Sequence, residues 1–386
     1  MSDNSNLGTA RLLKNDEFYT QYDDIQKEVN CYVDYNPDVF RGKTILLPCD
    51  DPEWSNFTRF FAQNFERFGL KKLISTSFAV ESKLYKEYEP TLFETESPLF
   101  DVDKTRIRGK IFILDRDINH SGHIDIHDLT WHYLEGDGDF RSAEVKALRD
   151  EADVIVTNPP FSLIREFIAW TLESGKMFLI LGNQNVISYK DVFPFIRDNK
   201  VWLGNHSGHT LFEVPAISSI PDFYDKEDKQ RLKSNGYIID ANGKLWRNLG
   251  NIVWFTNIDH GRRHQPLQLL TMADNIKYSK HPEVRGRDYV PYMNYDAIEV
   301  PFYDAIPSDY EGTMGVPISF LEKYCPEQFQ IIGLGSGYLG QSIGIKGIPK
   351  EHKQLMRGHS AAGDLYMMID GIPKVPFSRI LIRKKI

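Results

Sequence analysis

The sequence predicts a doubly wound, mostly parallel α/β sheet followed by a C-terminal α+β region. Three observations carry this. Short apolar runs alternate with segments of helical period over the first 260 or so residues. Polar, turn-forming residues stand at the carboxyl end of several of these runs. After Gly261 the helical period weakens, and Pro, Tyr and Gly become frequent. The expected division is therefore 1–260 and 261–386.

The elements follow in order. Thr44–Leu47 is an apolar run that stops at Pro48-Cys49-Asp50-Asp51-Pro52, a buried strand ending in a loop. Residues 56–68 carry Phe57, Phe60, Phe61, Phe65 and Phe68, and this spacing of three and four makes one helix face. Residues 72–76 and Lys110–Leu114 read as the next strands. Residues 152–157 form a strand that ends at an Asn-Pro-Pro turn, and residues 163–172 read as a helix. Residues 177–182 and 251–256 complete the set. In sheets of this kind ligands bind beyond the carboxyl ends of the strands.

A chain of 386 residues can bury a large core without disulfides. Its three cysteines, Cys31, Cys49 and Cys325, are odd in number and far apart, with neither zinc nor redox spacing, which fits a reducing cytoplasm. Residues 1–6 are polar and lack the apolar centre of a signal peptide, and no run approaches the length of a membrane helix. A net charge of −8, read as an average, argues against nucleic acid, but the distribution reverses this. Residues 341–386 hold nine Lys/Arg against three Asp/Glu, and residues 261–287 hold six against two. Local positive potential, not a basic total, is what phosphate binding requires. An ordinary solvated surface is the competing explanation.

The chemistry centres on Asn158-Pro159-Pro160-Phe161, directly after a strand of β-branched residues. The prolines stiffen the turn and remove two backbone donors. The carbonyls that precede them, and the Asn158 side chain, are suited to accept hydrogen bonds from a ligand amine. An exocyclic amine of a base is a poor nucleophile, because its lone pair is conjugated with the ring. Acceptors aimed at its N–H groups favour the pyramidal form that attacks a methyl sulfonium. Phe161 supplies a face on which an extruded base can stack. The plainer reading is a turn in which Asn158 bonds its own backbone. Near the start, Asp16-Glu17-Phe18-Tyr19-Thr20-Gln21 offers two aromatic side chains and a hydroxyl, and is equally readable as a capped helix start.

These segments occur in a telling order: residues 17–20, Cys49 to Phe57, Gly136-Asp137-Gly138-Asp139-Phe140, then Asn158 to Phe161. In this the chain resembles adenine-N6 DNA methyltransferases, most closely the EcoRI methylase family. The similarity runs over residues 16–257, resumes in 301–333 and includes Arg379-Ile380-Leu381-Ile382-Arg383. The resemblance implies a Rossmann-like methyltransferase sheet and a DNA-recognition role for the C-terminal region. It implies a methyl group carried from S-adenosylmethionine to N6 of a flipped adenine by direct in-line transfer. By that resemblance Asn158, Pro159, Pro160 and Phe161 form the catalytic loop. Phe18, Tyr19 and Thr20 contact the amino-acid end of the cofactor, and Asp51, Pro52, Ser55 and Asn56 wrap the same part. Asp139 and Phe140 hold its adenine.

The usual glycine-rich turn after the first strand is absent, with Ser55 and Asn56 standing where glycines would allow close backbone approach. No acidic residue directly follows the second strand, and Glu81 is the nearest. His120, His123, His127 and His132 cluster with Asp125 and Asp128, but their spacing matches no zinc motif, and methyl transfer needs no metal. Asp137 and Asp139 lack the later Glu of a calcium loop. The run Gly333 to Gly340 lacks the Lys-Ser/Thr of a nucleotide loop.

Double-stranded DNA is therefore the expected partner, with Lys346, Lys350, Lys353 and Arg357 as the candidate contacts. The resemblance leaves room for a cognate restriction endonuclease. Arg379 and Arg383 flank an apolar run that reads as a core strand. N4-cytosine methylation, RNA or protein-glutamine methylation, and a non-catalytic DNA-binding module remain the alternatives.

Overall fold

The computed structural model describes residues 19–51, 55–79, 97–214, 228–356 and 360–385. Of the residues named above, Asp16, Glu17, Phe18, Pro52, Glu81 and Arg357 lie outside the described residues. The chain divides into two compact units. One comprises residues 1–186 and 204–259, and the other residues 187–203 and 260–386.

The first unit is built on a nine-stranded sheet. Its strands are β1 (Thr44–Leu47), β2 (Lys72–Ser77), β3 (Lys110–Leu114), β4 (Thr130–Tyr133), β5 (Val154–Thr157), β6 (Met177–Asn183), β7 (Trp202–Val214), β8 (Tyr237–Ile239) and β9 (Leu245–Thr256). The order is β4-β3-β2-β1-β5-β6-β9-β7, with β8 paired to β9. The centre, β2-β1-β5-β6, is parallel throughout, in register Ile45 to Leu73 and Val154, and Val154 to Met177. Antiparallel wings extend it on both sides, β3 and β4 beyond β2, and β9 beyond β6.

Alternation along the central strands explains why helices cover both faces. On one face Ile45, Leu47, Leu73, Val154, Val156, Leu179 and Leu181 pack into one cluster. They meet Ile25, Val29 and Tyr32 of α1 (Tyr22–Tyr35) and Phe57, Phe60 and Phe61 of α2 (Asn56–Gln63). Their neighbours Leu46, Ile74, Ile155, Phe178 and Ile180 are buried too, and by the pleat they point the other way. That second face carries α3 (Ala143–Glu151), which packs on β1, and α4 (Ile164–Ser174), whose Ile164 lies against Gly182 of β6. Continuous burial on two faces is what a parallel centre requires. The sheet is thus a Rossmann-like α/β sheet.

The predicted helix over 56–68 is two pieces. At Asn64 the side-chain amide bonds the Phe60 carbonyl, the backbone leaves helical geometry, and a single turn follows over Phe65–Phe68. The aromatic face continues through the break, because Phe65 and Phe68 stay in the same cluster.

The second unit contains a four-stranded sheet of β10 (Ile298–Glu299), β11 (Met314–Pro317), β12 (Phe329–Leu334) and β15 (Arg379–Lys384), in the order β10-β11-β15-β12. A separate hairpin joins β13 (Met367–Ile369) and β14 (Ile372–Lys374). The apolar run at residues 380–382 is the fully buried centre of β15. Arg379 makes a bidentate pair with the buried Glu299, and Arg383 bonds the Thr313 hydroxyl. Both arginines therefore serve this sheet.

Candidate active site

Because β2, β1, β5 and β6 run parallel, their carboxyl ends share one edge, and the segments singled out in the sequence converge there. Asn158 begins the turn directly after β5. Thr157, the last residue of that strand, donates its hydroxyl to the Pro48 carbonyl after β1 at 2.6 Å, which joins the two neighbouring loops. Pro159 is buried, while Asn158, Pro160 and Phe161 are half-buried. The Pro160 carbonyl accepts from Leu163 N–H at 2.9 Å and closes the short 3-10 turn Phe161–Leu163. The Phe161 ring stands edge-on to Phe212 of β7, with centroids 6.0 Å apart.

The first segment arrives at the same place. Tyr19 makes a two-bond bridge with Glu213, the neighbour of Phe212 on β7. The Thr20 carbonyl accepts from the Asn56 side chain at 2.8 Å, and Asn56 opens α2. Ser55 caps that helix, its Oγ accepting from Phe57 N–H at 3.1 Å, and its own N–H donates to the Asp51 carbonyl at 2.7 Å. Tyr19, Thr20, Asp51, Ser55, Asn56 and the Asn158 turn therefore form one continuous chain of contacts, running from the end of β7 past β1 to β5 and back to β7.

Asp139 and Phe140 come next to it. Ala79 N–H bonds the Asp137 carbonyl at 2.8 Å, and Gly138, at φ +87°, lies so close to the Ser77 carbonyl that a Cβ there would strike it. This seats the loop on the carboxyl end of β2. The Asp139 carboxylate is engaged by Arg141 through Nε at 2.9 Å and Nη2 at 2.6 Å, and Arg141 reaches on to Glu166 of α4 at 2.9 Å. Phe140 is buried against Phe167 and Trp170, with centroids 5.1 and 5.7 Å away. In the structure as it stands its ring is a core contact, with the Arg141 guanidinium over it.

Sequence reasoning passes over two groups that organise this edge. Arg141 is one. Asp50 is the other: it is buried, and desolvation pushes its carboxyl up to about 7, although hydroxyls of Ser55 and Thr58 reach it. The available signal was an acid directly after a buried strand, with hydroxyl residues five and eight positions on.

The other sequence candidates lie elsewhere. Asp125 and Asp128 form a reciprocal cap around a 3-10 turn, and Asp128 also accepts from Ile118 and Asn119. Among the described residues no three His, Cys, Asp or Glu side chains gather to hold a metal. The glycine run from Gly333 is a packed structural turn. Asp364 caps α5 (Gly337–Ser342) by accepting from Gly337 N–H and Ser336 Oγ, and Gly340 abuts the Gly363 carbonyl too closely for a side chain. Lys346, and Lys350 and Lys353 on α6 (Lys350–Leu355), are exposed on the second unit.

A Rossmann-like sheet with an Asn-Pro-Pro-Phe turn at its carboxyl edge defines a methyltransferase acting on an amine. The family described as "Adenine-specific methyltransferase EcoRI" matches residues 6–385, and the chain belongs to that family. It is 37% identical to the type II methyltransferase M.EcoRI of Escherichia coli over 344 residues, covering 89% of this chain and 93% of that protein. It is 32% identical to the type II methyltransferase M.MpnI of Mycoplasma pneumoniae, covering 84% and 83%. A third relative, M.MgeORF184P of Mycoplasma genitalium, is 33% identical over 84% of each chain. No solved structure matches the chain significantly. The chain is thus an adenine-specific DNA methyltransferase. No helix among the described residues is long and apolar enough to cross a membrane.

Proposed function

We propose that this enzyme carries a methyl group from S-adenosylmethionine to N6 of an adenine turned out of double-stranded DNA, within a specific sequence. The observation that supports it is the position of Asn158-Pro159-Pro160-Phe161 at the carboxyl end of β5, tied through Thr157 and Pro48 to the loop after β1.

The residues present fit the cofactor. The Thr20 hydroxyl is buried and has no hydrogen-bond partner among the described residues, a costly arrangement that a polar ligand group relieves. The carbonyl of the same residue accepts from Asn56 at the start of α2, where the amino-acid end of the cofactor is assigned. Asp139 offers a carboxylate to the adenine amine. S-adenosylmethionine supplies an electrophilic methyl group on a sulfonium. The chain's own part is to prepare the nucleophile. The accepting atoms assigned to the target amine are the Asn158 side-chain oxygen and the Pro159 carbonyl, which precedes the second proline. Both are held by the proline-stiffened turn, so they need little reorganisation when positive charge develops on the nitrogen. Phe161 offers its ring to the extruded base. Lys346, Lys350, Lys353 and Arg357 contact the DNA, and a cognate restriction endonuclease acting at the same sequence in the cytoplasm completes the reading.

Asn158→Ala tests it. Single-turnover methylation should fall by roughly 10²-fold or more, the usual cost of losing a fixed dipole at a reacting centre. Calorimetric affinity for S-adenosylmethionine should stay near wild type. Near-normal single-turnover methylation by the variant would remove Asn158 from the target amine.

A further inference from the structure

The segment between β1 and α2 lacks the glycine-rich turn in sequence, and among its described residues Asp50 ties the strands to the helix. Its N–H donates to the Thr76 carbonyl of β2 at 2.7 Å, and its carbonyl accepts from the Ser75 hydroxyl. Its carboxyl group reaches the helix: Ser55 Oγ bonds Oδ1, and Thr58 Oγ1 lies 3.1 Å from Oδ2. Thr58 Oγ1 is also 3.0 Å from Ser75 Oγ. All four side chains are buried.

Each hydroxyl has one proton to give. Ser75 gives its proton to the Asp50 carbonyl and Ser55 gives its proton to Oδ1. Thr58 faces two oxygens and can donate to only one. The circuit closes completely when Asp50 carries a proton and donates from Oδ2 to Thr58, which then donates to Ser75. With the carboxylate ionised, Thr58 must donate to Oδ2, and its direct bond to Ser75 is lost while the tie through Asp50 remains.

We propose that Asp50 is a positioning residue that replaces the missing glycine-rich turn, its carboxyl group and backbone binding α2 to β2 and so fixing the surface against which the cofactor's amino-acid end lies. The inference rests on the cofactor site assigned above. Asp50 does not touch the cofactor; it acts through Ser55, the cap of α2, and through the Asn56 and Thr20 contact that follows. Asp51 is its charged neighbour; α2 presents Ser55 and Thr58 to it, and β2 presents Ser75 and the Thr76 carbonyl. A carboxyl pushed up to about 7 by burial keeps its proton below neutral pH and loses it as pH rises through 7.

The test is calorimetric binding of S-adenosylmethionine between pH 6 and pH 8 to wild type, Asp50→Asn, Asp50→Ala and Thr58→Val, with folding checked by circular dichroism and DNA affinity measured in parallel. Asp50→Ala should bind the cofactor at least about tenfold more weakly, roughly the loss of one buried hydrogen-bonded group. Asp50→Asn keeps one donor and one acceptor in place, so it should bind within about twofold of wild type at pH 6. Wild type should lose affinity as pH rises through 7 more steeply than Asp50→Asn, the ligand's own titration being common to both. DNA affinity should not follow these changes. If Asp50→Ala does not fold, Thr58→Val should still weaken cofactor binding several-fold. A folded Asp50→Ala with wild-type affinity, or an Asp50→Asn variant with the wild-type pH profile, overturns the proposal. Thr20→Val and Asp139→Ala separate the two levels. If they too bind normally, the cofactor site itself is misassigned. If they bind weakly while the Asp50 and Thr58 variants do not, only the role of Asp50 fails.

Discussion

A buried carboxyl that holds its proton also writes itself into stability. Asp50 rises from an ordinary value of 3.8 to about 7, mainly through desolvation. Between those values the folded protein keeps a proton that the unfolded chain has lost, so stability falls as pH rises across the window and levels off above it. The ceiling of the effect is on the order of 4 kcal/mol, at about 1.4 kcal/mol for each tenfold change in proton affinity. Carboxylates held low, such as Asp128 by three backbone N–H donors and Asp240 by Trp246, act in the opposite sense, but only in the acid range below the unfolded value. Thermal unfolding at pH 5 and pH 8 checks this. Asp50→Asn should show a smaller loss of Tm between the two than wild type, and an equal loss in both would place the titration elsewhere. The sequence displayed Asp50 in plain view but not its burial, because burial depends on Thr58 and Ser75 arriving from two other elements.

At the scale of elements, the central strands were legible because a parallel centre needs apolar residues on both faces, and Thr44–Leu47 is found with the bounds read from the sequence. The Asn158 turn was legible because proline fixes it locally. The antiparallel wings were less so. β4 lies inside the histidine-rich segment, where only Trp131 and Tyr133 turn inward, and β7 mixes polar residues into its length. Loop-to-helix ties were invisible for the same reason as Asp50. Arg141 is the clearest: it grips Asp139 in the loop on β2 and Glu166 on the helix that follows the Asn158 turn. Two elements assigned to cofactor and target base are thereby joined through one half-exposed side chain. Asp139→Ala should weaken S-adenosylmethionine binding more than DNA binding. Arg141→Gln should do so to a smaller degree, because it frees the Asp139 carboxylate without removing it. Cofactor titrations that are unchanged in Asp139→Ala would withdraw the loop from the site.

At the scale of the whole molecule, an enzyme of net charge −8 must still hold a polyanion, so the distribution of its cations matters more than their total. In the second unit many are already engaged. Arg263 lies over the Trp202 ring and bonds Asn199, Lys280 and His281 share Asp304, and Arg379 is locked to Glu299. Lys346, Lys350 and Lys353 differ: they are exposed, and no ion pair involves them among the described residues. Arg357 adjoins them in sequence. Cations on phosphates weaken all sequences alike when removed, and each lowers the salt slope of log K by about one unit. A cation on a base edge instead relaxes specificity at one position, at roughly 1–3 kcal/mol. Neutralising Lys346, Lys350, Lys353 and Arg357 together to Gln should therefore lower DNA affinity and flatten its salt dependence, while leaving S-adenosylmethionine affinity unchanged. Fluorescence anisotropy with cognate and scrambled duplexes at several salt concentrations reads both quantities. A folded variant with the wild-type slope would move the interface off this helix, and Arg285 and Arg287, exposed in the other basic stretch, would be the next to neutralise.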